Sequence, residues 1–230
     1  MQKQNRLLYL GFLAAVAALL FFSWLANQVL RGATAEFDAS VRTAVHGWAS
    51  PRLTLAMRSI TQLGAPPFVI LVGAVVVWRL VAVGRKRAAI LFVTSVLGAE
   101  ALDQILKLLF HRPRPEAFFG LADPTTYSFP SGHAITSSCF YGVLAAILAA
   151  RAHSAAAKAA LWILAAGIAL LIGLSRVYLG VHYPSDVVAG YAAAVVWVAA
   201  VRAGYLVWLR RASRRNGSTL EGSPPISLRQ

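Results

Sequence analysis

Long apolar segments alternate with short polar segments along most of the chain. Six apolar segments stand out, at residues 7–30, 66–83, 88–110, 134–150, 159–174 and 187–209. A helix that crosses a bilayer needs roughly 17–25 residues, and each segment lies near or within that length. The first is too long for a signal-peptide core, so we expect it to be a retained helix. The pattern predicts an all-α protein, with a bundle of six transmembrane helices within residues 1–212.

Two polar stretches interrupt this pattern or follow it. Residues 31–65 mix apolar side chains such as Trp48 and Ile60 with charged ones. Such a mixture is typical of one or two short helices that lie in the membrane interface. Residues 213–230 are polar and rich in Pro, Gly and Ser, which predicts a flexible C-terminal tail.

Composition supports the membrane reading. Hydrophobic residues make up 58% of the chain and charged residues only 13%, against about a quarter charged in soluble domains. The net charge of +14 would suggest nucleic acid in a soluble protein. Here most basic residues lie between apolar segments, which points to membrane topology and anionic lipid instead. We therefore expect no nucleic-acid partner and no obligatory protein partner. The single cysteine, Cys139, excludes an internal disulfide and is predicted to be a packing residue.

Lysine and arginine in the short loops predict the orientation. They precede the first segment, join the second to the third and the fourth to the fifth, and follow the sixth. With six spans, all four places fall on one side, which the positive-inside rule assigns to the cytoplasm. The opposite side holds residues 31–65, 111–133 and 175–186. The sequence thus predicts a multi-pass protein of the inner membrane whose unusual loops face the periplasm.

The first group of candidate functional residues ends the third apolar segment. Asp103 and Lys107 share one helical face, where we expect them to form an ion pair that offsets the burial of the lysine. Ionisable groups inside a spanning helix are usually functional, although a lysine can also extend to the interface. Arg112 and Arg114 each precede a proline, which favours extended backbone at both residues. A guanidinium group can bind two oxygens of one phosphate at the same time. Arg112 could bind a lipid headgroup or only the interface.

The second group is the stretch "SFPSGH" before the fourth segment. Ser131 is a good N-cap, and Gly132 would let a ligand approach the backbone closely. A helix N-terminus also offers unpaired N–H groups that suit a phosphate. The alternative is an ordinary helix cap with His133 at the interface.

The third group is the stretch "SRVYLGVHYPSDVVAG". His182 and Asp186 are four residues apart around Pro184, which suits the first turn of the sixth helix. A carboxylate that contacts an imidazole fixes its tautomer and makes the other nitrogen a better nucleophile or base. The alternative is a purely structural His–Asp hydrogen bond. Arg176 adds a positive charge nearby.

The three groups fall on the same predicted side of the membrane, where few acidic and no cysteine residues could hold a metal. Phosphoryl transfer needs stabilisation of the negative charge on the equatorial oxygens, a nucleophile and an acid for the leaving group. The basic residues could supply the charge, so we expect neither a metal nor another cofactor.

The three groups of candidate residues have a distinctive spacing. Lys107 is followed after six residues by Arg114-Pro115, and "PSGH" occupies residues 130–133. Ser175-Arg176 is followed after five residues by His182, and three further residues lead to Asp186. This arrangement resembles the three-part signature of the type 2 phosphatidic acid phosphatase superfamily of membrane lipid phosphatases.

The resemblance implies a role for each matching residue. His182 would attack phosphorus and form a phosphohistidine, while Asp186 would orient it. His133 would protonate the leaving oxygen and then activate water. The phosphate would be held by groups from all three motifs, namely Lys107, Arg114, Ser131, Gly132 and Arg176. The family works without a metal ion.

The sequence therefore predicts an integral membrane phosphatase whose lipid substrate enters from the bilayer. By family resemblance, the substrate would be phosphatidic acid, phosphatidylglycerol phosphate or undecaprenyl pyrophosphate. A lipid phosphotransferase or a lipid A phosphatase could use the same residues. A lipid or phosphate transporter is a further alternative, but it has no need for the spacing of His182 and Asp186.

Overall fold

The computed structural model describes residues 2–120 and 126–221, with side chains described for residues 9–120 and 126–208. Over these residues the chain forms eight helices and no strand, which confirms the all-α prediction. The helices are α1 (Gln2–Leu30), α2 (Ala35–His46), α3 (Pro51–Gln62), α4 (Pro66–Ala82), α5 (Lys86–Phe110), α6 (Gly132–Ala149), α7 (Ala155–Tyr178) and α8 (Pro184–Glu221).

Five described helices, α1 and α5 to α8, are each long and apolar enough to cross a membrane. The expected second span is instead one part of a bent pair, because α3 and α4 together pass the same criteria with an angle of 47° between them. Pro66 and Pro67 begin α4, and proline lacks the N–H needed to continue the preceding helix. The predicted six spans are reached when this pair counts as one.

The segment at residues 31–65 forms the two short helices predicted for it, α2 and α3. The last two helices are longer than the apolar pattern indicated. The side chain of Ser154 accepts a hydrogen bond from the backbone N–H of Ala157, which caps α7 before the first apolar residue of the predicted span. Helix α8 continues past Leu209 to Glu221, so residues 213–221 of the expected tail are helical. The remaining residues, 222–230, lie outside the described part.

Helix α6 lies at the centre and packs against α5, α7 and α8, while α1 lies along α8. The first two turns of α6 are fully buried at Ala134, Ile135, Cys139 and Phe140, and Cys139 has the packing role predicted for it. Gly190 lets α8 approach α6 closely, since a Cβ there would lie 2.8 Å from the backbone oxygen of Ser131. The N-terminal ends of α6 and α8 are therefore adjacent.

Large apolar side chains cover the outer faces of the bundle. They occur on α1, α4, α5 and α7, for example Phe12, Leu20, Ile70, Trp78, Leu97, Leu108 and Ile163. Contiguous apolar surface of this extent is rare on soluble monomers and is normal where lipid is the solvent. The fold is that of a multi-pass membrane protein.

Candidate active site

The three predicted groups converge where the C-terminal end of α5 meets the N-terminal ends of α6 and α8. Two backbone hydrogen bonds join them. The N–H of Ser131 donates to the backbone oxygen of Asp186 over 3.0 Å, and the N–H of Ser128 donates to that of Arg112 over 2.8 Å. The loop before α6 is thus attached both to α8 and to the segment that follows α5.

The imidazole of His182 is held between an acceptor and a donor. Its Nδ1 lies 3.3 Å from Oδ2 of Asp186, and its Nε2 lies 3.1 Å from Nη1 of Arg114. A guanidinium can only donate, so Nε2 accepts and Nδ1 carries the proton that faces the carboxylate. This arrangement assigns the neutral Nδ1–H tautomer, with the Nε2 lone pair directed toward the basic side chains. His182 precedes α8 and does not lie in its first turn, because the helix begins at Pro184.

His182 is only 2% exposed. Burial lowers its pKa well below the usual value, and the charges of Arg114, Arg176 and Lys107 lower the pKa further. A hydrogen bond with the backbone of Ser128 opposes this shift. The imidazole is therefore neutral at physiological pH, which is the form that a nucleophile requires.

The carboxylate of Asp186 has a hydrogen-bond donor on each oxygen. Oδ1 accepts from Arg112 Nη1 over 2.6 Å. Oδ2 accepts from the Ser128 hydroxyl and from the backbone N–H of Tyr183, the latter over 2.9 Å. Because these donors fix its plane, the carboxylate is oriented before any substrate binds. Ser128 was not among the predicted residues, although its position two residues before "PSGH" was a usable signal.

Three basic side chains surround this pair. Lys107, 7% exposed, donates to Asp103 over 2.6 Å, which confirms the predicted ion pair. Arg176 donates through Nη1 to Thr61 over 2.9 Å, while its buried Nε has no hydrogen-bond partner among the described residues. Buried donors are rarely left unpaired, so this Nε is suited to an oxygen of a bound anion.

Arg114 is held by the backbone around it. Its Nε and Nη2 donate to the backbone oxygen and the hydroxyl of Thr126 over 2.7 and 2.9 Å. Its Nη1 donates to the backbone oxygen of Val181 over 2.9 Å and also contacts His182. The guanidinium is thereby fixed against the imidazole that is expected to carry the phosphoryl group.

Ser131 and Gly132 begin α6 as predicted, but their contacts differ from the expectation. Ser131 occupies the N-cap position without making a capping side-chain bond, and within the described part of the chain its buried Oγ has no hydrogen-bond partner. The space beside Gly132 is filled by Asp103, whose carboxylate lies 2.6–3.0 Å from the position of a Cβ. Glycine is needed there for the approach of Asp103, and the approach of a ligand to this backbone stays a prediction.

His133, the second residue of α6, belongs to the same cluster of charges. Its half-buried ring lies near the break between α3 and α4, with Cδ2 3.2 Å from the position of a Cβ on Gly64. The charges of Arg176, Lys107 and Arg114 act on it, as does His182. The structure therefore brings both predicted histidines within reach of the same basic groups.

Arg112, for which the sequence left open a lipid headgroup or the interface, contacts two carboxylates of the protein. Its side chain is 14% exposed and forms ion pairs with Asp38 over 2.8 Å and with Asp186 over 2.6 Å. Asp38 belongs to α2 and was not predicted. Its only signal was an acidic residue in an amphipathic helix, because 147 residues separate it from its partner Ser185.

The donor set of the site suits an anion. Within the described parts of the chain, no group of three or more His, Cys, Asp or Glu side chains is arranged to hold a metal ion. The nearby carboxylates, Asp103 and Asp186, each accept from a cationic side chain. The cluster presents basic groups, a buried hydroxyl and a helix N-terminus, which together favour phosphate oxygens.

Comparisons with known proteins agree with this chemistry. The family model of the PAP2 superfamily matches residues 88–210. Phosphatidylglycerophosphatase B of Bacillus subtilis is 34% identical over 182 residues, which cover 76% of this chain and 87% of that protein. Lipid A 1-phosphatase of Rhizobium etli is 33% identical over 132 residues, about half of each chain. The crystal structure of a transmembrane PAP2-type phosphatidylglycerolphosphate phosphatase from Bacillus subtilis superposes with a TM-score of 0.76 at 30% identity, covering 82% of this chain and 94% of that one.

Proposed function

The chain belongs to the PAP2 superfamily and is a multi-pass membrane phosphatase, and we propose that it hydrolyses a lipid phosphate through a phosphohistidine at His182. One observation carries this proposal. The Nδ1–H of the buried, neutral imidazole donates a hydrogen bond to Asp186, and Nε2 faces the basic groups. An activated nucleophile needs this combination of an orienting carboxylate and an unprotonated nitrogen that faces the phosphate-binding groups.

In the first step, Nε2 of His182 attacks phosphorus and the bond from phosphorus to the lipid oxygen breaks. His133 in its protonated form donates a proton to that leaving oxygen. The positive charge that develops on His182 is stabilised by Asp186. The equatorial oxygens gain negative charge, which Lys107 and Arg114 offset together with Arg176.

In the second step, the now neutral His133 removes a proton from water, and the water oxygen attacks the phosphohistidine. The bond from phosphorus to Nε2 breaks, and inorganic phosphate leaves. His182 recovers its neutral form and His133 its proton, so the cycle closes without another reactant. The proposed chemistry uses no metal, and the support for this is the basic donor set around the site.

The proposed substrate is a phosphomonoester on a glycerol headgroup, as in phosphatidylglycerol phosphate or phosphatidic acid. The relative that matches over most of its length is a phosphatidylglycerophosphatase, whereas the lipid A 1-phosphatase matches over about half. Undecaprenyl pyrophosphate remains a further candidate. The lipid would enter from the bilayer, with its chains between the helices and its phosphate in the basic cluster.

The proposed location of the site is the outer face of the cytoplasmic membrane. The catalytic cluster lies at the end of α5 and the starts of α6 and α8. Basic residues at the opposite ends of these helices include Arg85, Arg87, Arg151 and Arg202. The positive-inside rule assigns that basic end to the cytoplasm.

The test measures phosphate release by the purified protein in detergent with a chelator present. The substrates are phosphatidylglycerol phosphate, phosphatidic acid and undecaprenyl pyrophosphate. We expect release by the wild type, and a loss of roughly 10³-fold or more in kcat for His182→Ala, because the nucleophile is removed. His153→Ala is the matched control, since His153 is exposed and outside the site. Unchanged release by His182→Ala would exclude the proposed nucleophile.

A further inference from the structure

Asp38 is a buried carboxylate on the inner face of α2, which it shares with the buried Val45. It is 1% exposed, while its neighbours Glu36 and Phe37 are exposed. It also lies outside residues 88–210, the part that matches the family. Removing a charged carboxylate from water is costly unless other groups compensate. The contacts of Asp38 therefore indicate why this residue is retained inside the protein.

One set of contacts joins Asp38 to the start of α8. Oδ1 of Asp38 accepts from the backbone N–H of Ser185 over 2.9 Å, and Oδ2 accepts from its hydroxyl over 2.7 Å. Ser185 is the second residue of α8, so its N–H has no partner within the helix. Asp38 thus acts as an N-cap supplied by another helix, and its charge faces the positive end of the α8 dipole. The next residue of α8 is Asp186.

A second set of contacts passes through Arg112. Its Nη2 donates to Asp38 over 2.8 Å, while its Nη1 donates to Asp186 over 2.6 Å and to the Ser185 hydroxyl over 2.8 Å. The guanidinium also lies 4.0 Å from the centre of the Tyr183 ring. Because the guanidinium is a rigid planar fork, fixing one end of it on Asp38 fixes the other end on Asp186.

From this geometry we propose that Asp38 is a positioning residue for the catalytic pair of His182 and Asp186, acting through Arg112 and Ser185. The inference rests on the proposed function, in which Asp186 stabilises the charge that forms on His182. Two carboxylates share one guanidinium, so the cluster keeps a net negative charge beside the imidazole. Without Asp38, the whole charge of Arg112 would be directed at Asp186 and would weaken that stabilisation.

The first test is Asp38→Asn. Asparagine keeps the size of the side chain, and its oxygen can still accept from the Ser185 N–H. The amide nitrogen that replaces Oδ2 cannot accept from Arg112, so the substitution removes both the charge and the bond to the guanidinium. We expect kcat for phosphatidic acid to fall by roughly 10- to 100-fold, as is usual when a residue that orients an active-site ligand is lost. KM should stay unchanged, because no phosphate-binding residue is altered. The matched control is Glu36→Gln, the same change at an exposed position of α2, which should keep the wild-type kcat.

A double-mutant cycle tests whether the effect passes through Arg112. The variants are Asp38→Asn, Arg112→Gln and the two combined. Residues that act through one another are not additive, so the double variant should be no slower than Arg112→Gln alone. Wild-type kcat in Asp38→Asn, a loss that appears only in KM, or multiplication of the two single losses would each overturn the proposal.

Thermal unfolding of every variant accompanies the kinetics. If Asp38→Asn does not fold, Ser185→Ala replaces it. That change keeps the backbone N–H and the direct ion pair of Asp38 with Arg112, and it removes the hydroxyl that donates to Asp38 and accepts from Arg112. A lower kcat with unchanged KM is expected, and wild-type kcat would contradict the inference. His182→Ala is assayed in parallel. Activity in that variant would refute the proposed function, whereas an inactive His182→Ala beside a fully active Asp38→Asn would refute this inference alone.

Discussion

The proposed catalytic chemistry depends on which nitrogen of His182 carries the proton. Arg114 can only donate, so Nε2 is the acceptor. The proton is therefore on Nδ1, which donates a hydrogen bond to Asp186. The same arginine that would bind a phosphate oxygen thus also selects the tautomer. When an anion enters, the positive charge beside Nε2 would be shared with it, and the lone pair would become available for attack on phosphorus.

Burial and three positive charges lower the pKa of His182 below its ordinary value near 6.5. The folded protein should keep this imidazole neutral as the pH falls through 6.5, whereas the unfolded chain gains a proton there. This residue therefore reduces folding stability only below about pH 6.5. We expect the acid limb of kcat/KM to lie below that pH.

Arg114→Gln should move this limb toward higher pH, because one of the charges that lower the pKa of His182 is removed. Initial rates from pH 4 to 9 at low substrate concentration measure the position of the limb. A wild-type limb at or above 6.5, or a limb that Arg114→Gln leaves in place, would contradict the electrostatic description of the site.

At the residue scale, contacts between residues close in the sequence could be predicted, and contacts between distant residues could not. Asp103 and Lys107 are one turn apart, and their pairing was predicted from helical spacing. Ser128 and Asp38 contact Asp186 and Ser185 from 58 and 147 residues away. A single sequence contains no signal for such contacts, since they depend on how whole helices are arranged.

At the scale of helices, the site exists because three helix ends approach closely. Gly190 allows α8 to meet the start of α6, and Gly132 allows α6 to meet Asp103 on α5. Glycine at a helix start was predicted from the sequence, but its purpose was assigned to the ligand. Its observed neighbour is the carboxylate of Asp103 from another helix, which only the packing shows.

Gly132→Ala should therefore disturb the site through α5. The added Cβ would lie 2.6 Å from Oδ2 of Asp103, the atom that binds Lys107. Overpacking of this kind costs about 1–3 kcal/mol, and the displaced carboxylate would release the lysine. We expect lower thermal stability and a lower kcat/KM in lipid phosphate hydrolysis.

Gly142→Ala is the control for this change, because a Cβ at Gly142 of the same helix meets no atom within 4 Å. That variant should match or exceed the wild type in stability, since alanine is the better helix former. Equal thermal stability and equal kcat/KM in Gly132→Ala and Gly142→Ala would contradict a role of the contact between Gly132 and Asp103 in shaping the site.

At the scale of the whole molecule, the positions of the six apolar helices could be predicted from hydrophobic length. The break between α3 and α4 could not be predicted, because the charged residues of α3 are typical of an interfacial helix and gave no sign that it pairs with α4. Six expected spans thus became five single helices and one broken pair. The convergence of the three motifs was predicted from their position on the same side of the membrane. That prediction requires only a correct number of spans between the motifs.

The proposed orientation predicts which loops a membrane-impermeant maleimide can reach in intact cells. A cysteine at Glu116, exposed in the loop after α5, should be labelled from outside. A cysteine at His153, exposed between α6 and α7, should be labelled only after the cells are opened. The native Cys139 is buried and should not react. The reverse labelling pattern would place the site on the cytoplasmic face.

The central claim is that His182 carries the phosphoryl group, and the most direct measurement is to trap it. Phosphatidic acid labelled in its phosphate is mixed with the enzyme, and the reaction is stopped in alkali, where phosphohistidine survives. The account predicts label on the peptide that contains His182 in the wild type and none in His182→Ala. Rapid phosphate release without label on His182, or label that persists in His182→Ala, would contradict it.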